Sequence, residues 1–178
     1  MRRDLAVARA IVEAYAPVRP DQAASRARIL AFVDEHDDAL HRSCVEGHLT
    51  GSALVIDAAR ERALLMHHRK LGLWLEMGGH ADGDGDLAAV ALREATEESG
   101  IAGLRLEPGP ADVDVHRVQP PGEHAHVHFD VRYVALAPPG AVEQPNEESL
   151  EVRWFTLAEI EAAIDDPSTL RLARLGLA

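Results

Sequence analysis

The chain has 178 residues, 47% of them hydrophobic, and a formal net charge of -12 at pH 7. That length allows one domain with a sizeable core, and no stretch approaches the roughly 18 apolar residues that a membrane-spanning helix needs. An acidic chain without clustered lysine and arginine is a poor general binder of nucleic-acid backbones, whereas small anionic ligands stay open if a cation screens the acidic groups.

Residues 1–44 read as helical. An apolar periodicity runs over 5–15, Pro17 and Pro20 interrupt it, and a second stretch over 22–40 turns Ile29, Leu30 and Val33 inward. This N-terminal helical extension is expected to pack on the remaining domain, 45–178, or on a second copy of the chain, so a homodimer is a candidate assembly. The segment carries charge but no long apolar core, and Cys44 is the single cysteine, so no internal disulfide forms and a cytoplasmic location is expected.

From His48 the pattern changes to short strands, 51–56 and 63–68, joined by a charged turn. Trp74 then leads into a loop at Gly78 and Gly79. A helix follows, with Asp86 as N-cap, Leu87, Val90, Ala91 and Ala95 as its core stripe, and Gly100 as its stop. Further strands are expected near 104–107, 113–118, 127–136 and 152–155, and helices near 157–164 and 170–175. The segments 119–122 and 138–140, rich in proline and glycine, separate the later strands. This order suits an α+β sandwich.

Two stretches carry chemistry. Glu94, Glu97 and Glu98 stand at i, i+3 and i+4, on one face of the helix that begins after Asp86. Like charges at that spacing weaken an isolated helix, and a hard divalent cation between them accounts for the arrangement. Over 124–136, Ala125, Val127, Phe129, Val131 and Tyr133 alternate with His124, His126, His128, Asp130 and Arg132, which predicts one buried and one polar face. The polar face either meets solvent or offers His126, His128 and Asp130 to a metal or a phosphate. His80, next to the glycine pair, and His67 and His68 have no ligand spacing of their own; they are expected to contact substrate or solvent and not to form a zinc site, and His80 is a candidate for substrate contact.

The segment GHADGDGDLAAVALREATEESGI, residues 79–101, resembles the signature of the Nudix hydrolase family at Gly79, Arg93, Glu94, Ala95, Glu97, Glu98, Gly100 and Ile101. It departs at Gly85, where that family has a glutamate. The resemblance implies an α/β/α sandwich with a mixed sheet over roughly 48–165. It also implies a metal-dependent hydrolase that cleaves a diphosphate linkage in a small molecule, such as a nucleoside diphosphate joined to another moiety.

Glu94, Glu97 and Glu98, with the main-chain carbonyl of Gly78, would then hold Mg2+ or Mn2+. The cation would neutralise and orient the diphosphate and acidify an attacking water. Arg93 is placed to pair with a glutamate. A loop carboxylate, Glu147 or Glu148, or one of the glutamates of the signature would take the proton. Arg69 and Lys70 are candidates for the diphosphate itself.

Because of Gly85, either one cation is bound weakly or Asp84 or Asp86 stands in, and a glutamate restored at position 85 is expected to tighten metal binding. Rival readings are an enzyme similar to isopentenyl diphosphate isomerases, which the histidine-rich strand favours and the early position of Cys44 disfavours, and a non-catalytic nucleotide-binding module.

Overall fold

Leu5, Ala8 and Val12 recur at helical spacing and are buried along one side of α1 (Arg3–Ala14). The computed structural model describes residues 3–119, 121–122 and 124–178. Pro120, within the 119–122 connection expected from sequence, lies outside the described residues.

Pro20 opens α2 (Pro20–Glu35), where its missing N–H costs no helical bond. The Gln22 side-chain oxygen accepts the N–H groups of Val18 (3.0 Å) and Arg19 (3.2 Å). The helix stops five residues short of the expected 40. His36 is extended, and a turn at 36–39 delivers Ala39 and Leu40 to the core instead of a further helical turn.

The strands are β1 (Gly47–Ile56), β2 (Arg62–His68), β3 (Trp74–Leu75), β4 (Met77–His80), β5 (Arg105–Leu106), β6 (Asp112–Val118), β7 (His126–Leu136) and β8 (Ser149–Thr156). The helices after α2 are α3 (Leu87–Ser99), α4 (Leu157–Ala163) and α5 (Pro167–Gly176). Parallel pairing of β1 with β7, and antiparallel pairing of β1 with β2 and β4, makes the sheet mixed.

The first three helices cover one face, packing on Leu49, Ala53, Val55, Val131 and Tyr133. On the other face Ile160 of α4 and Leu172 of α5 pack on Leu54, Ile56, Val134 and Phe155. The result is an α/β/α sandwich. The first two helices belong to its core, since Phe32 of α2 stacks on Phe129 of β7 with ring centroids 4.0 Å apart. No helix among the described residues is long and apolar enough to cross a membrane.

Two expectations need correction. Gly78 and Gly79 form a strand, not a loop, with Gly78 opposite Ser52 and Gly79 opposite Gly51. A Cβ at 78 would lie 2.4 Å from the Ser52 Cβ, and one at 79 would lie 2.4 Å from the Glu94 carboxyl carbon, so both glycines serve close approach. The second correction concerns β7. It starts at His126, not His124; β1 and β6 pair with its two edges, and residues on both its faces are buried.

His126, Asp130 and Arg132 on its polar face are as buried as Phe129, Val131 and Tyr133 on the other. That polar face is a connected layer. Arg132 pairs with Glu76 and with Asp130 (3.0 Å), and Thr169 of α5 donates to Glu76 (3.1 Å). Arg171 pairs with Asp112 (2.8 Å) and Asp114 (3.0 Å), and Gln22 of α2 donates to Asp112 (3.0 Å).

Candidate active site

Helix α3 is held where its glutamates meet β4. The Asp86 carboxylate accepts the Ala89 N–H (3.1 Å) as N-cap, and Gly100 ends the helix at φ 68°, a left-handed conformation that suits glycine. Between the caps α3 lies so close to β1 that a Cβ on Gly51 would sit 2.7 Å from the Leu87 carbonyl oxygen. The next two turns carry Glu94 and Glu98 onto the strand of Gly78 and Gly79.

Glu98 is 5% exposed, and its Oε2 accepts the Gly78 N–H at 2.8 Å. Burial pushes its carboxyl up to about 8. The Gly78 N–H opposes the rise, and the charges of Glu94, Glu148 and Glu97 add to it. In an extended strand a residue's N–H and C=O point the same way, so the Gly78 carbonyl is directed to the Glu98 side as well.

Glu94 is half-buried and takes a 3.0 Å bond from Arg93, while Glu97 is exposed. A buried carboxylate on which the charges of three other carboxylates act fits a hard divalent cation.

The segment carrying Glu147 and Glu148 is fixed by Arg69. The Arg69 main-chain N–H donates to the Glu148 carbonyl, and its guanidinium donates to the carbonyls of Glu147 and Ser149, all at 2.9 Å. Arg69 therefore anchors this loop through its main chain, a different task from the diphosphate contact expected of it; Lys70 beside it is exposed. Of the two loop glutamates, Glu148 is the one whose charge acts on both Glu98 and His68. Trp154 donates to Glu143 (2.7 Å), and Trp74 stacks on His67 with centroids 5.1 Å apart.

Gly85 has a steric cause. A Cβ there would lie 1.9 Å from the carbonyl oxygen of Asp4, so the first turn of α1 occupies the space a side chain needs. Asp84 and Asp86 are used locally: Asp84 accepts the Asp86 N–H at 2.9 Å, and Asp86 caps α3. The expectation that Gly85→Glu tightens metal binding is therefore replaced. Gly85→Glu should displace α1 and lower the unfolding free energy by at least about 1–3 kcal/mol, the usual cost of overpacking. Gly85→Ala, which brings no carboxylate, should also destabilise; equal melting temperatures for wild type and Gly85→Ala would disprove the steric account.

On the opposite face of the sheet, imidazoles from three strands converge. His48 of β1, His80 of β4 and His126 and His128 of β7 have ligand nitrogens all within 4.8 Å of one another. His126 and His128 were singled out by the alternation and His80 by its neighbourhood, but His48 was not. Its signal was present in the alternation of His48, Thr50 and Ser52 with Leu49, Gly51 and Ala53.

Burial lowers His48 to about 4 and His128 to about 2, with the neighbouring imidazoles adding to both shifts, so both rings are neutral. Asp130 accepts from Thr50 (2.8 Å), Ser52 (2.7 Å) and Arg132 (3.0 Å); both its oxygens are engaged, which makes it part of the buried layer and not a substrate contact.

The model of the NUDIX domain matches residues 48–173, and the chain belongs to the Nudix family. Its class is therefore that of the Nudix domains, a fold it shares with solved hydrolases of the family. A NUDIX-family hydrolase from Clostridium perfringens superposes with a TM-score of 0.60 at 22% identity, over 73% of this chain and 95% of that one. The NUDIX domain of Shewanella oneidensis NrtR, complexed with ADP ribose, superposes with a TM-score of 0.55 at 19% identity, over 82% of this chain and 94% of that one.

In sequence, the chain is 30% identical over 157 residues to a D-alanine–D-alanine ligase from Streptomyces coelicolor, covering 84% of this chain. The chain spans only 37% of that relative's length.

Proposed function

We propose that the protein hydrolyses the diphosphate linkage of a nucleoside diphosphate joined to another moiety, in a reaction that depends on Mg2+ or Mn2+. The observation that carries this reading is Glu98, a carboxylate 5% exposed and held by the Gly78 N–H, with the charges of Glu94 and Glu148 acting on it. Glu94, Glu97, Glu98 and the Gly78 carbonyl are the groups proposed to hold the cation. When bound, it would supply charge neutralisation for the diphosphate and acidification of the attacking water.

The chain's own residues do the rest. Arg93 orients Glu94 through their 3.0 Å bond, and Arg69 fixes the loop that carries Glu148. Glu148, whose charge acts on Glu98, is the candidate to accept the proton of the water, ahead of Glu147. Cys44 is buried and its thiol is raised to about 11, chiefly by burial, which disfavours chemistry of the isomerase kind at that sulfur.

The NrtR domain's complex with ADP ribose recommends ADP-ribose as the first compound to try. Nucleoside-diphosphate compounds should be incubated with Mg2+ or Mn2+, and nucleotide or phosphate release measured. Release from at least one of them, abolished by chelator, is the expected result. Release that persists at full rate in excess chelator would rule out the proposed mechanism.

A further inference from the structure

We propose that His48, His80, His126 and His128 form a site for a borderline divalent transition metal of the zinc class, on the opposite sheet face from α3 and independent of the hydrolase reading. The four rings come from three paired strands, with His48 opposite His128 across β1 and β7. Centroids of His48 lie 4.7 Å from His80, 4.8 Å from His126 and 5.1 Å from His128. The His126 and His128 Nε2 atoms are 3.3 Å apart. Two nitrogens each about 2.0–2.1 Å from a tetrahedral zinc are separated by about 3.3–3.4 Å, so this pair already has ligand spacing.

Two further observations point to a ligand. His126 Nδ1 lies 3.0 Å from the His124 carbonyl oxygen; donating there leaves Nε2 as the lone-pair nitrogen, the outer support that metal-bound imidazoles commonly have. His48 is 4% exposed, and neither of its ring nitrogens has a hydrogen-bond partner among the described residues. A buried ring nitrogen left without a partner is costly, and coordination by one nitrogen would remove part of that cost.

An all-imidazole set favours zinc, copper or nickel over magnesium, so its chemistry differs from that of the carboxylates on α3. His116 approaches His128 at 5.5 Å but is held by Asp114 through Nδ1 (2.9 Å), which places it beside the four. A metal here would tie β4, the strand of Gly78 and Gly79, to β1 and β7.

The test uses the full chain, stripped with chelator and titrated with Zn2+ against a chromophoric chelator. One equivalent should bind with micromolar or tighter affinity, at equal strength in wild type and Glu98→Gln, and at least about ten-fold more weakly in His126→Asn and His128→Asn. Absence of binding, loss in Glu98→Gln, or unchanged affinity in both folded histidine variants would each overturn the site.

If the histidine variants do not fold, the wild-type Co2+ spectrum decides. Intense four-coordinate bands without sulfur charge transfer support the site. Weak six-coordinate absorption overturns it, as does a sulfur charge-transfer band, which would put the metal at the group of His36, Cys44 and Glu46.

Discussion

Glu98→Gln should remove at least about 100-fold of the hydrolase activity while leaving the fold intact, and it should flatten the pH dependence of stability in the metal-free protein. The fold is expected to survive because the glutamine oxygen can still accept the Gly78 N–H that Glu98 accepts at 2.8 Å. The loss is set by comparison: changing a residue that only supports a metal ligand commonly costs 10–100-fold, so changing a proposed ligand should reach at least the upper end.

The pH effect follows from the sign of the shift. The native carboxyl is raised to about 8 from its ordinary 4.5, so the folded protein keeps a proton that the unfolded chain gives up. Its contribution to stability is fully present below pH 4.5, shrinks by at most about 1.4 kcal/mol per pH unit as the pH rises, and is gone above about 8. Thermal unfolding in chelator at pH 5, 7 and 9 checks this: the advantage of Glu98→Gln over wild type should grow with pH. The same proton competes with the cation, so apparent Mg2+ affinity should rise up to about pH 8 and then level off. Wild-type turnover in Glu98→Gln would remove the residue from the proposed cation site.

The features legible in the sequence were local ones. Helix α3 was readable because its cap, apolar stripe, glycine stop and the spacing of Glu94, Glu97 and Glu98 all lie within 86–100. The alternation over β7 was readable for the same reason, and it separated the two faces correctly. It carried no information on what covers them, because the partner residues of Arg132 are Glu76, 56 positions earlier, and Asp112 on the neighbouring strand.

Gly78 and Gly79 read as a loop because glycine pairs usually mark turns. Their actual reason, the approach of Ser52 and Glu94 to the backbone, is a tertiary fact. Gly85 was visible as a departure from the family pattern, but its cause sits in α1, some 80 residues away at Asp4. His48 joined the other imidazoles through the pairing of β1 with β7 and with β4, which no local periodicity discloses.

Arg132→Ala is expected to be the most destabilising single change, lowering the unfolding free energy by about 3–5 kcal/mol. Arg132 is 3% exposed and supplies the cation between Glu76, Asp130 and, at 3.7 Å, Asp112. Removing it leaves carboxylates buried together with less positive charge to offset them, and a buried charge without its partner costs far more than the pair contributed. Arg171 is engaged by Asp112 and Asp114 and not by Glu76 or Asp130, so it does not replace Arg132 there.

Arg132→Lys should recover only part of the loss, because a point charge cannot serve partners in several directions as the guanidinium does. The variant should also acquire a pH signature. Carboxylates deprived of their cation titrate at raised values in the folded state, so the Arg132→Ala protein should regain stability as the pH falls toward 5 and lose it as the pH rises. Urea unfolding at pH 5 and pH 8 separates this from simple loss of packing, which would cost the same at both. A deficit under about 1 kcal/mol at pH 8 would mean that water enters the layer and that the polar face of β7 is not the connected layer of Arg132, Glu76 and Asp130.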